Sequence, residues 1–429
     1  MSTSPTRTLR LRYGDRAEEL ALEAERVLFE IGPRRFPALE DPAEELEFSL
    51  RDPIGPGLPE VIDRGDRVLV VTVDRTRPSP RRLLPPVRAA LEELGATVTV
   101  VAATGLHRWM SGRELKAHYG SGDVVQHDCD GEMLSLGETS RGTPIELGSP
   151  LRQFDKVVLL GFVEPQYLMG FGGGRKLLFP GLGSRRAITL HHLMLAEAGF
   201  QLGRLEGNPL HEDVLEMVDR LGVWPDGPLA ASINVVLNAD DSPVEVFSGD
   251  PLQAHVEACR LARRINTVRP AGPCDICIVS PGGYPYDRDL VQSRKALVSA
   301  CRTVRRGGVI ILVAECREGW AADEGSRPML VDSSPKEIIA EMNARYGRRE
   351  ELFRGGGDDP VLSTGALVFS FVMEFRSLEV VVVSGLEGLD DTFLLTADSL
   401  AQAMEIAEAR VSPLSSVGII HNGRRLIIP

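Results

Sequence analysis

The residues of this 429-residue chain that could do chemistry fall in short clusters, each placed just after an apolar run. The longest, Gly161 to Gly183, reads GFVEPQYLMGFGGGRKLLFPGLG. Its centre, from Gly170 through Phe171, Gly172, Gly173 and Gly174 to Arg175 and Lys176, joins bare backbone N–H groups to two adjacent cations. Such a turn can approach a phosphate closely. It is not a Walker loop, because the spacing and the Ser/Thr are missing. Lys176 is one of only five lysines, with Lys116, Lys156, Lys295 and Lys336, in a chain rich in arginine.

A second cluster, Asp74-Arg75-Thr76-Arg77-Pro78, directly follows the apolar run RVLVVTV. Arg77 suits bidentate capture of a carboxylate or phosphate, and Asp74 could orient a neighbouring base. The plainer reading is a solvated loop with a helix cap. Thr104-Gly105-Leu106-His107-Arg108 follows TVTVVA, which places His107 on the same sheet edge as Asp74. Histidine titrates near neutral pH and suits proton transfer. His191 and His192 are adjacent in a helical stretch, about 100° apart around its axis, so only one of them can point into a pocket. A metal ligand and a surface pair are both open readings there.

Further along, Ser280-Pro-Gly-Gly-Tyr-Pro-Tyr-Asp287 follows another apolar run and leads into Leu290 to Leu297. Gln292 and Lys295 are three apart on a helix and share a face, where they could close over a ligand. Glu315 to Gly319 ends the next strand and could line the same site. Cys274-Asp-Ile-Cys277 is not read as a redox or zinc motif. It lies in a strand, where residues three apart point to opposite faces, and no second such pair completes a zinc site.

The elements that must position these clusters alternate strand and helix. Arg67 to Val73, Thr97 to Ala102 and Lys156 to Gly161 read as buried strands, with a helix over Leu83 to Leu94 ended by Gly95. A second series has strands near Asp275, at Gly308 to Ala314 and at Leu378 to Val383. Its helices are Leu290 to Cys301 and Ser399 to Ala409, the latter with Ser399 as N-cap. Two such series predict an α/β protein of two domains, each with a mainly parallel sheet. The Pro/Gly-rich Val268 to Pro273 suits the break. The expected domains are 1–268 and 274–400, and 404–429 could return to the first. Arg354 to Pro360 reads as a flexible loop.

The net charge of −13 argues against a nucleic-acid surface, which would need a basic face. A local basic pocket for a small anion is still compatible with it. The N-terminal residues lack the apolar core of a signal peptide, and no run of about 18 apolar residues could span a membrane. Six scattered cysteines do not form a disulfide framework and read as reduced thiols. A cytoplasmic protein is expected.

Together these clusters resemble the lactate racemase family over most of the chain. The resemblance is strongest at Asp74 to Arg77, Thr104 to Arg108, Pro165 to Gly183, Gly207-Asn208-Pro209 and Gly282 to Lys295. It implies two α/β domains with the active site in the cleft between them. It also implies a nickel-pincer nucleotide, a pyridinium-3,5-bisthiocarboxylic acid mononucleotide carrying nickel. By motif position Lys176 holds that group through a thioamide and His192 is the protein ligand to nickel. Phe171, Gly172, Gly173, Gly174, Thr76 and Gln166 complete the implied cofactor-binding set. Arg77, Gln292 and Lys295 match residues around the substrate carboxylate, and His107, beside Asp74, matches an acid/base histidine. The implied reaction is racemisation or epimerisation of a 2-hydroxy acid by reversible hydride transfer, with cofactor-biosynthesis proteins as partners.

Two departures stand out. The family's Pro-His becomes Pro165-Gln166, so the second acid/base histidine is missing, and Gln cannot exchange protons near neutral pH. Val291 stands where lactate enzymes carry an aromatic, which suggests a bulkier or more polar acid, such as a sugar acid. His107 could then serve both faces, or Tyr167, Tyr284, Tyr286 or a water could substitute. A one-sided hydride transfer (an oxidoreductase or dehydrating variant) and a non-catalytic nucleotide-binding homologue are the competing readings.

Overall fold

The run Arg67–Val73 forms a strand with six of its seven residues buried, and Lys156–Val163 and Leu229–Leu237 are as deeply enclosed. Strands covered on both faces lose the in/out alternation and read as continuous apolar runs, which is the signature of a parallel sheet. The computed structural model, which describes residues 5–321, 327–348 and 365–429, shows that sheet. Its six strands lie in the order Pro243–Gly249, Leu229–Leu237, Lys156–Val163, Arg67–Val73, Thr97–Ala103, Val125–Gln126. All neighbours are parallel except the first pair. This sheet belongs to a unit formed by residues 35–192 and 203–265.

The strand order carries a functional consequence. From Arg67–Val73 the chain moves outward to Thr97–Ala103 and Val125–Gln126, then returns to the opposite side at Lys156–Val163. Chain direction across the sheet therefore reverses between Arg67–Val73 and Lys156–Val163. At such a switch point the loops leaving the strand ends diverge and open a crevice. Asp74 and Glu164 are the first residues past those two ends. Helices flank this sheet with legible start signals. Ser111 and Glu114 form a capping box on Gly112–Tyr119, and Asn208 accepts from the N–H groups of Leu210 and His211 to start Pro209–Leu221.

The second unit comprises residues 1–34, 193–202 and 266–429. Its six-stranded sheet runs Leu395–Ala397, Glu379–Val383, Val304–Val313, Cys274–Val279, Val417–Ile420, Val27–Ile31, with every pairing parallel. The hairpin Thr6–Tyr13/Arg16–Glu23 lays Leu9, Leu11, Leu20 and Leu22 into the same core as Ile276, Ile278 and Ile311. Ser399 caps Leu400–Glu408 by accepting from Gln402 N–H at 3.2 Å. The single helix expected over Leu290 to Cys301 is instead three successive turns, Leu290–Ser293, Arg294–Ala296 and Leu297–Ala300.

The structure corrects the domain assignment at both chain ends. Val27–Ile31 pairs with Val417–Ile420, which pairs with Cys274–Val279. Residues 5–34 thus belong with the later sheet, and the C-terminal strand stays there rather than returning to the earlier one. Pairing between strands so far apart in sequence leaves no local mark to read. The break itself falls close to the expected place, after Ile265, but Val268 is tied by its N–H to Ile427 O at 3.1 Å and is no free linker.

Cys274 and Cys277 do not point to opposite faces. The register shifts between Cys274 and Ile276, and this irregularity brings the two thiols within reach of each other. Both stay buried, around the Thr303 hydroxyl and carbonyl. The Arg354 to Pro360 loop lies outside the described residues.

Candidate active site

Two loops leave neighbouring strand ends and meet through one hydrogen bond. Asp74, only 4% exposed, places Oδ2 2.7 Å from His107 Nδ1. Its Oδ1 accepts from the Thr76 N–H at 3.1 Å and the Thr76 hydroxyl at 2.5 Å. An ionised carboxylate can only accept, so Nδ1 of His107 carries the proton and the lone pair falls on Nε2. Burial alone would raise the Asp74 carboxyl. The charge and hydrogen bond of His107, with help from Thr76 and Arg77, outweigh it and hold the group well below the usual carboxylate range. The His107 side chain stays 37% exposed, open to a small molecule.

The glycine-rich segment is built from the other strand end. Pro165–Gln166 pairs antiparallel with Gly170–Phe171. Gln166 closes this hairpin, its Oε1 accepting from Leu168 N–H at 2.9 Å and Met169 N–H at 2.7 Å. Gly170 and Gly173 have φ of +77° and +72°. A Cβ would lie 1.9 Å from Arg204 O at the first and 2.7 Å from Val163 Cγ2 at the second, so neither tolerates a side chain. Gly172 is different. A Cβ there would meet nothing nearer than 3.7 Å, so packing does not demand its bareness. Gly181 O accepts from Gly105 N–H at 3.0 Å, tying the end of this segment to the His107 loop. Phe171 is fully buried, with the Arg263 guanidinium 5.5 Å from its ring centre, which is a packing role.

A short 3-10 turn, Gly174–Leu177, then carries Arg175 and Lys176. Arg175 is 1% exposed and has no carboxylate partner among the described residues. Its Nε donates to His211 Nδ1 at 2.5 Å, one terminal nitrogen to His255 Nδ1 at 3.2 Å, and the other to Met169 O at 3.0 Å. His255 Nε2 in turn donates to Gly172 O at 2.9 Å. Both histidines must be neutral to accept. Burial and the Arg175 charge push each down to about 3. Arg175 is thus a structural post that fixes the turn on both sides.

Burial sets the state of its neighbour. Lys176 makes no hydrogen bond and no ion pair to any described residue. Burial first, then the Arg77 charge, depress its amine to about 7, with Asp74 and Glu164 opposing and Arg175 assisting. Lys176 keeps some solvent contact along its length, but enough protein surrounds its ammonium for desolvation to dominate. A largely neutral, unpaired amine at physiological pH is a nucleophile. Arg77 lies beside it, its Nε 3.6 Å from Glu164 Oε1.

The helix Arg185–Leu193 carries the histidine pair. His191 is fully buried and its Nε2 donates to Leu210 O at 2.9 Å. His192 is partly exposed, and the two Nδ1 atoms are 3.2 Å apart. The field of Lys176 reaches His191, so the amine and the pair are neighbours. Asp213, on the helix behind, is 1% exposed, and neither of its oxygens accepts a hydrogen bond.

One unit therefore brings together Asp74, Thr76, Arg77, His107, Gln166, Phe171, the glycines 172 to 174, Lys176 and His192. Gln292 and Lys295 lie in the other unit, where the Lys295 ammonium donates to Gln292 Oε1 and Asp289 Oδ1 accepts from Gln292 N–H at 2.8 Å. Of the tyrosines, Tyr167 and Tyr286 are buried and Tyr284 is exposed. Sequence reasoning missed Glu164, Asp213, His211 and His255. The last two are single histidines far from the glycine turn in sequence, and no spacing signals them.

Comparison with known proteins identifies the family. Residues 13–203 match the lactate racemase N-terminal domain and residues 269–353 the lactate racemase C-terminal domain. The lactate racemase of Thermoanaerobacterium thermosaccharolyticum is 30% identical over 396 residues, 89% of each chain. That of Lactiplantibacillus plantarum is 30% identical over 407 residues, 90% of each. The solved structure of the T. thermosaccharolyticum lactate racemase apoprotein superposes with a TM-score of 0.86 at 27% identity, covering 99% of this chain and 100% of that one. A Thermotoga maritima protein of 17% identity shares the fold, with a TM-score of 0.68 over 91% of this chain and 99% of its own. With both domains matched in order and 30% identity spanning 89% of the chain, this protein belongs to the lactate racemase family.

Proposed function

We propose that this chain racemises or epimerises a 2-hydroxy acid, using a nickel-pincer nucleotide held by Lys176 and liganded through His192. The observation that carries the reading is Lys176: an amine depressed to about 7, without an ion-pair partner, beside both the Asp74–His107 pair and the histidine pair. The residues present fit that group. The neutral amine can form the covalent link, a Cβ at Gly172 would meet nothing nearer than 3.7 Å so its absence keeps room there, and an imidazole suits nickel. When bound, the cofactor supplies the hydride-accepting centre.

The chain's own residues do the rest. His107 Nε2 takes the substrate hydroxyl proton, and Asp74 fixes the ring and steadies the imidazolium that forms. Arg77, released from its long contact with Glu164, offers its fork to the carboxylate. For Gln292 and Lys295 the support is motif position and their mutual hydrogen bond.

Gln166 is not a proton relay. Its oxygen is already taken by two backbone N–H groups, and its amide does not titrate. His107 is then the one histidine for proton transfer on both substrate faces, with Tyr167 as the nearest alternative donor in sequence. This arrangement, with Val291, favours a substrate bulkier or more polar than lactate. The same vacancy supports the second reading, one-sided hydride transfer.

Co-expression with a pincer-cofactor biosynthesis system tests the proposal by intact mass and nickel content, beside Lys176→Ala. A mass increase with nickel, lost in the variant, is expected, followed by racemisation of 2-hydroxy or sugar acids in polarimetry. An unmodified, nickel-free chain, under conditions that load another family member, would overturn it.

A further inference from the structure

The histidine pair contains a chain of hydrogen bonds that constrains where each proton sits. Leu210 O can only accept, so the proton on His191 lies on Nε2, 2.9 Å away. The two facing Nδ1 atoms, 3.2 Å apart, must share a single proton between them. If it sat on His191, that ring would be a cation, and His191 is fully buried. Asp213, on the helix behind, makes no hydrogen bond to either ring. An imidazolium held there without a hydrogen-bonded counter-ion is costly. The proton therefore belongs to His192 Nδ1.

We infer that His191 is a positioning residue: by accepting from His192 Nδ1–H it locks the neighbouring ring in the tautomer whose lone pair is on Nε2. The direction is set at the far end, where the backbone carbonyl of Leu210 holds the His191 proton on its own Nε2. Leu210 is itself fixed, because Asn208 caps its helix and accepts from Leu210 N–H at 3.0 Å. A metal-binding histidine must present a bare nitrogen. The partner of its other N–H selects which one, and also orients the ring. A serine start supports the helix beneath, Ser184 Oγ accepting from Ala187 N–H at 3.0 Å. Adjacent residues, one buried as acceptor and one partly exposed as ligand, thus form a unit.

The consequence for nickel rests on the proposed role of His192, but the tautomer does not, and the experiment separates them. The cofactor-free full-length protein, labelled with ¹⁵N-histidine, is examined by long-range ¹H–¹⁵N correlation at neutral pH, with His191 and His192 assigned by substitution. His192 is expected as the Nδ1–H form and His191 as the Nε2–H form. A Nε2–H form of His192, or a doubly protonated His191, overturns the inference. His191→Phe removes that acceptor and should lower the share of the Nδ1–H form of His192, whereas His191→Asn, whose Oδ1 can take the same proton, should restore it. In cofactor-loaded protein, His191→Phe should lose nickel to a chelator about 10–100-fold more readily, with partial recovery in His191→Asn. If the variants do not fold, the wild-type spectrum decides alone. If no cofactor loads, the proposed function fails while the tautomer result stands.

Discussion

His107 Nδ1 stands 2.7 Å from Asp74 Oδ2, across two loops that leave adjacent parallel strands. The contact exists because Val73 and Ala103 end their strands in register, so the residues following them emerge side by side. It converts an ordinary histidine into one with a fixed tautomer and a defined basic nitrogen. Asp74→Asn keeps the shape but lets the amide favour the other tautomer. Turnover of the loaded enzyme should fall about a hundredfold to ten-thousandfold, with circular dichroism unchanged. An undiminished rate would remove Asp74 from the mechanism.

The Lys176 amine has a folded-state pKa of about 7, below its unfolded value of about 10.4. Between these values the unfolded chain binds the extra proton, so stability of the cofactor-free protein should rise with pH across that window. Lys176→Met has no such group. It should be more stable than wild type at pH 7 and show a flatter profile from pH 7 to 10 in urea unfolding. Parallel profiles would mean that Lys176 is solvated like a surface lysine.

The acid side is set by other groups. His211 and His255 titrate near 3 when folded and near 6.5 when unfolded. The unfolded chain takes up their protons first, so stability should fall as pH drops from about 6.5 toward 3. Asp74, depressed in the folded state, adds a loss below about pH 4, where its unfolded form protonates. His211→Asn retains an acceptor for Arg175 without the titration. Urea midpoints between pH 4 and 6.5 should therefore be less pH-dependent in that variant.

Neighbouring glycines should respond differently to alanine. At Gly173, φ of +72° and a Cβ 2.7 Å from Val163 Cγ2 predict a loss of about 1–3 kcal/mol. At Gly172 the nearest atom to a Cβ is 3.7 Å away, so Gly172→Ala should unfold at the wild-type midpoint. Any defect there should appear only in cofactor loading, read by intact mass.

Gln166→His tests the departure from the family pattern. The substitution removes the acceptor for Leu168 and Met169 N–H groups, which should cost about 1–3 kcal/mol in denaturant unfolding. If a missing proton donor limits the reaction, racemisation on the loaded enzyme should rise despite that loss. No gain with any 2-hydroxy acid would show that His107, or another group, already serves both faces.

Much of this molecule is written locally. The strands Arg67–Val73 and Lys156–Val163 are legible as unbroken apolar runs, because burial on both faces of a parallel sheet erases alternation. Asp74, His107 and the glycine turn are legible because they follow such runs, and strand ends in α/β sheets are where ligands bind. Ser399 and Ser111 announce their helices by chemistry within one turn. What only the tertiary structure decided are relations between residues far apart in sequence. The pairing of Val27–Ile31 with Val417–Ile420 assigns the first strands to the later sheet, and no local pattern encodes a partner almost the whole chain away. A register shift turned Cys274 toward Cys277 against the expected alternation. The neutral His211 and His255 around Arg175, and the Leu210 carbonyl that directs the proton of His191, act through burial and distance alone. Residue type and spacing specify which groups are available. Desolvation and hydrogen-bond partners, which exist only once the chain has folded, specify their protonation, and hence what those groups can do.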